Sequence, residues 1–114
     1  MSLINQAVLQ ALREAIPADD LNELLQQLKD HLIADSSELV RRAQGADSRE
    51  VLLLAHRLAG MTPNFGCEAL ADALAHIEAD LCADSGRLPE AEALDRVDSL
   101  ARATAAALEE MIRG

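Results

Sequence analysis

Leucines recur along residues 19 to 43 at Leu21, Leu24, Leu25, Leu28, Leu32 and Leu39, and Ala43 extends the series. Steps of three and four hold these positions on one side of a helix of about 3.6 residues per turn, so the stretch predicts a long amphipathic helix with one core-facing stripe. Asp35, Ser36 and Ser37 interrupt the stripe midway and predict a bend. The same period predicts four more helices. A short one over about 3 to 15 carries Leu3, Val8, Leu9 and Leu12. A third opens at Asp47 and Glu50, an acidic form of the capping box, and runs to about Phe65, where Gly66 stops it. The fourth, over about 68 to 83, carries Leu70, Leu74, Ile77 and Leu81. The fifth starts near Pro89, a residue suited to a first helical turn, and runs through Leu94, Val97, Leu100, Thr104, Leu108 and Met111. The breaks between helices are short. Four long helices so joined predict an all-α fold, an antiparallel up-down four-helix bundle with a short additional N-terminal helix over one end. At 114 residues the chain predicts a single domain, 1–114.

The third helix carries the informative residues. At about 100° per residue, Val51, Leu54, Ala55, Leu58, Thr62 and Phe65 fall on the core side. Arg49, Leu52, His56, Ala59, Gly60 and Pro63 fall opposite. Glycine inside a helix costs about 1 kcal/mol relative to alanine, and proline about 3, so both are uncommon there without a use. Gly60 removes the Cβ that would crowd His56 from the next turn and lets the backbone of a second protein approach the ring. Pro63 cannot donate to the carbonyl of Ala59, which predicts that the helix bends or loosens there. His31 and His76 lack small neighbours of this kind and read as solvated.

Composition narrows what this face can do. Half of the residues are hydrophobic and the one aromatic is Phe65, so the core is aliphatic. A net charge of -10 argues against nucleic acid and anionic membranes as partners and favours proteins or small molecules. No run reaches the roughly 20 apolar residues of a membrane span, and no basic and apolar leader precedes the first helix; both predict a cytoplasmic protein without membrane insertion. Cys67 and Cys82 would lie near the two ends of one helix, about 22 Å apart, too far for a disulfide. They read as reduced thiols. The residues three before His31, His56 and His76 are Leu28, Leu53 and Ala73, which excludes a Glu-x-x-His di-iron site. There is no glycine-rich phosphate loop, and no nucleophile stands beside His56 on its helix. What remains is an open imidazole. In its neutral form such a ring keeps one nitrogen free to attack phosphorus.

The run "AHRLAGMTPNFGCEALADALAHIEADL" resembles the motif of histidine-containing phosphotransfer (HPt) domains. His56 stands at the phosphoacceptor place, followed by Leu58, Gly60, Phe65-Gly66, Leu70, Leu74 and the apolar-acidic pair Ile77-Glu78. The motif covers 24 or so residues, and the helical plan extends the likeness to nearly the whole chain. One position departs: where the family usually has a lysine three residues after the histidine, this chain has Ala59. Arg57 and Arg49 are the basic residues placed to stand in for it. The resemblance implies a phosphorelay protein of two-component signal transduction, a phosphoryl carrier without kinase activity of its own. His56 would take a phosphoryl group on Nε2 from the aspartyl phosphate of one receiver domain and pass it to the aspartate of another. It implies response-regulator receiver domains and a hybrid sensor kinase as partners. Arg49, Leu52, Arg57, Ala59, Gly60 and Pro63 would be the docking residues. No cofactor or metal would be bound by this chain, Mg²⁺ belonging to the receiver. The alternative is a helical adaptor or inhibitor that binds a kinase or receiver through the same face without accepting phosphate.

Overall fold

Leucine-lined helices account for most of residues 2–83 and 88–113, the residues that the computed structural model describes. They are α1 (Gln6–Ala15), α2 (Ala18–Gln44), α3 (Ser48–Met61), α4 (Glu68–Ala83) and α5 (Ala91–Arg113), with a 3₁₀ turn at Thr62–Phe65. No strand occurs among the described residues. The break expected between the fourth and fifth helices falls largely on 84–87, outside the described residues. α2 packs against α3 and α5, and α4 packs against the same two helices. α1 lies against α2 and the 3₁₀ turn.

Local chemistry explains where the helices start and stop. The Asn5 side chain accepts hydrogen bonds from the backbone N–H groups of Ala7 and Val8, capping α1. Asp47 caps α3 by accepting from the Glu50 N–H at 3.1 Å. α2 has no side-chain cap, but Asp19 and Asp20 in its first turn oppose the positive end of the helix dipole. At its other end Arg42 reaches Glu38 at 2.9 Å and Glu50 at 3.1 Å, tying the end of α2 to the start of α3. The guanidinium groups of Arg41 and Arg42 pull the Glu38 carboxyl down to about 2.

The core is almost wholly aliphatic, with Leu25, Leu32, Leu39, Leu54, Leu58, Leu74 and Leu108 among its fully buried side chains. Each such leucine contributes on the order of 1.5–3 kcal/mol through burial. Three positions differ from the helical-wheel expectation. Leu24 is 38% exposed, and Phe65 is half-buried. Ser36 is buried in the α2 stripe, its hydroxyl donating to the Ile33 carbonyl at 3.2 Å. That bond satisfies the serine within its own helix, so α2 runs unbroken across the polar interruption. Cys67 is buried and Cys82 exposed, both as free thiols. Burial pushes the Cys67 thiol up to about 11, which keeps it protonated and unreactive.

The corner after α3 depends on backbone geometry. The α-helix stops at Met61 rather than Phe65, and the chain tightens into the 3₁₀ turn that contains Pro63. Proline has no N–H to give to a carbonyl one turn back, so the α-helical ladder lapses there. Gly66 then takes a left-handed φ of 76°, and its carbonyl accepts from the Asn5 N–H at 2.7 Å. A Cβ on Gly66 would lie 3.0 Å from the Asn5 carbonyl oxygen and 3.2 Å from Val8 Cβ. Both the φ and the close approach require glycine.

Two stability outcomes follow from these contacts. Gly66→Ala should lose about 1–3 kcal/mol in urea unfolding, since it meets both a strained φ and a backbone atom. Thr104→Val should gain about 1 kcal/mol, because the Thr104 hydroxyl is buried without a hydrogen-bond partner. Unchanged unfolding midpoints would contradict either account.

Candidate functional site

Val51, Leu54, Ala55, Leu58 and Thr62 are all buried, and they fix how α3 and its continuation are turned. Thr62 is satisfied there, its hydroxyl donating to the Leu58 carbonyl at 3.0 Å. The opposite side of the helix is thereby presented outward. Arg49, His56, Arg57, Gly60 and Pro63 are exposed, while Leu52 and Ala59 are half-buried.

His56 is the centre of this surface, its side chain 76% exposed. Its Nδ1 lies 3.1 and 3.0 Å from the two carboxylate oxygens of Glu78 on α4. An ionised carboxylate can only accept, so in the neutral ring the proton is on Nδ1 and the lone pair on Nε2. Glu78 thus sets both the orientation of the ring and its tautomer. Sequence reading placed Glu78 in the apolar-acidic pair of the motif but not against the imidazole. A period-based signal cannot show it, because the two residues meet only when α3 and α4 pack.

Arg57 turns the other way, with Nη2 3.4 Å from Asp35 Oδ2 on α2. Adjacent residues on a helix point about 100° apart, and here one reaches α4 and the other α2. The most outward line of α3 therefore runs between them, through Leu53 and Gly60. Leu53 is 53% exposed, a large apolar side chain that belongs to this surface and that the helical wheel had passed over in favour of Leu52. In the run Val51 to Leu54, four consecutive apolar residues leave the facing of the middle two undetermined. A Cβ at Gly60 would meet no atom within 4 Å. This glycine is not required by packing.

Beside the His56–Glu78 pair lies a shallow apolar hollow. It is lined by Ala59 and Pro63, by Ala71 and Ala75 of α4, and by Val8 of α1, with Glu68 and Asp72 adding acidic groups. Ala59 stands one turn after His56 and Ala75 three residues before Glu78, which puts one edge of the hollow within a helical turn of the pair, although neither His56 nor Glu78 lines it. The other two histidines are placed differently. His76 is exposed with Nδ1 2.8 Å from the Asp72 carbonyl of its own helix, and His31 is exposed on α2. No group of three or more His, Cys, Asp or Glu side chains able to hold a metal ion occurs among the described residues. Nor is any helix there long and apolar enough to cross a membrane.

No family model, curated protein or solved structure matches this chain. An exposed imidazole with one nitrogen engaged and the other free, on a surface of small and apolar residues, suits reaction with a group carried by another macromolecule.

Because Gly60 borders open space, Gly60→Gln should raise the unfolding free energy by roughly 0.5–1 kcal/mol through helix propensity alone. A lower melting temperature would show that α3 is turned differently from the orientation described.

Proposed function

We propose that this chain is a histidine phosphotransfer protein of a two-component phosphorelay, with His56 as phosphoacceptor. The observation that carries the reading is the exposed His56 ring with Nδ1 held by Glu78. The HPt-like run from His56 to Glu78 supports it, as does the pairwise packing of α2 through α5, which suits an antiparallel up-down four-helix bundle with α1 over one end. Cytoplasmic receiver domains and a hybrid sensor kinase are the partners that this reading requires.

In the accepting step the Nε2 lone pair forms a bond to phosphorus as the bond from phosphorus to the donor aspartate oxygen breaks, and the aspartate leaves as a carboxylate. The ring gains positive charge as its lone pair is committed. Glu78, accepting from Nδ1–H, stabilises that charge where it develops. Transfer onward reverses the sequence on a second receiver. The Mg²⁺ that assists such chemistry would be held in the acidic pocket of the receiver. This chain contributes presentation of the ring and docking. Leu52, Leu53, Ala59, Gly60 and Pro63 form an apolar contact area, and Arg49 and Arg57 moderate repulsion between two acidic proteins.

Incubation with a phosphorylated receiver should place acid-labile, base-stable phosphate on the wild type and none on His56→Gln, which should remain folded. Glu78→Ala should slow acceptance by about tenfold, the value of one exposed charge-assisted hydrogen bond, with Glu78→Gln intermediate because its carbonyl still accepts from Nδ1–H. Receiver binding without labelling would support the adaptor reading instead. Equal labelling of wild type and His56→Gln would refute the assignment.

A further inference from the structure

Two neighbouring side chains of α3 are held by carboxylates on different helices, His56 by Glu78 of α4 and Arg57 by Asp35 of α2. The second contact is the weaker. It is a single approach at 3.4 Å from an arginine side chain that is 66% exposed, and exposed ion pairs of this kind contribute little to stability. Among the described residues, the surroundings of His56 are otherwise poor in positive charge. Arg49 stands two turns earlier on α3, and Arg42 is occupied by Glu38 and Glu50. Glu78 and Asp35 contribute negative charge from the two flanking helices, and the chain as a whole carries -10.

A phosphoryl group on Nε2 adds up to two further negative charges at this place. It also offers three oxygens to the planar fork of an arginine, which can bind two of them at once. Among the described residues, Arg57 is the cation nearest to His56 along the chain. Its Cα adjoins that of His56, about 3.8 Å away, so the guanidinium can change partners by side-chain rotation alone. Packing does not hold the side chain in place, since it is 66% exposed and borders an open hollow on the Asp35 side.

Building on the assignment of His56 as phosphoacceptor, we propose that Asp35 and phosphorylated His56 compete for Arg57. Arg57 leaves Asp35 for the phosphoryl oxygens when His56 is loaded, and returns when the group is passed on. Arg57 is then the cation that accompanies the phosphoryl group, and Asp35 is a positioning residue that holds it in the empty protein. Loading also uncovers the Asp35 carboxylate, so a partner meets a different charge pattern on the α2 side of the site in each state.

The test needs only the small donor phosphoramidate. In a chain carrying His31→Gln and His76→Gln, the remaining phosphohistidine resonance belongs to His56, and its phosphoryl pKa is read by ³¹P titration. A nearby guanidinium favours the dianion, so Arg57→Gln should raise that pKa by about half a unit or more. Asp35→Asn should lower it while Arg57 is present, and lose most of its effect when combined with Arg57→Gln. Glu78, His31 and Arg49 also face this region, and in the double-mutant comparison Glu78, Arg49 and the His31→Gln background are held constant. An unchanged pKa in Arg57→Gln, or an equal Asp35→Asn shift with and without Arg57, would overturn the exchange while leaving His56 as acceptor. Failure of phosphoramidate to label His56 would overturn the acceptor assignment itself.

Discussion

The rotation of α3 about its own axis is the constraint on which the rest of the site depends. Val51, Leu54, Ala55, Leu58 and Thr62 are buried against the neighbouring helices, and a helix held along one stripe has no freedom left in what it points outward. Turning α3 by one residue would exchange the exposed His56 for the buried Ala55 and bring a leucine stripe into water. The loss of the buried Val51, Leu54 and Leu58, each on the order of 1.5–3 kcal/mol, makes that arrangement inaccessible. The imidazole is thus positioned by residues that never touch it. Its final orientation is then set by one contact across to α4, the Glu78 carboxylate at Nδ1.

The glycines at 60 and 66 show how differently one residue type is used on the two sides of one corner. Gly66 is dictated by conformation, with φ at 76° and the Asn5 carbonyl where a Cβ would stand. It fastens the N-terminal segment to the corner that follows α3, and so places Val8 beside the hollow next to the site. Gly60 has an ordinary helical environment and open space around it, so the fold does not demand it. Glycine at an exposed helical position costs stability, and in the proposed function the close approach of a partner to His56 is the use that offsets it.

Much of this is legible in the sequence. Helix positions follow from a leucine period that leaves little choice of face, and α2, α4 and α5 lie close to where the period puts them. The exposed histidine, the outward glycine and the break at Pro63 were equally readable, because each depends on one residue and its own helix. The errors lie where an apolar run is ambiguous or where two helices must meet. Leu52 and Leu53 exchange roles because four apolar residues in a row do not fix a rotation to better than half a residue. Ser36 is buried despite its hydroxyl because it bonds to its own helix, a bond invisible to polarity patterns. The partners of His56 and Arg57 needed the packing of α4 and α2, which no single-helix argument supplies.

In the proposed function, Glu78 holds Nδ1 and leaves Nε2 as the atom that takes the phosphoryl group. The most direct test of this is a long-range ¹H–¹⁵N spectrum of the His56 ring, recorded before and after phosphorylation by a receiver, with ³¹P correlation in the loaded state. The account predicts a proton on Nδ1 in the neutral ring and a phosphorus bond at Nε2. A bare Nδ1 in the empty protein, or phosphorus attached at Nδ1 in the loaded one, would contradict it.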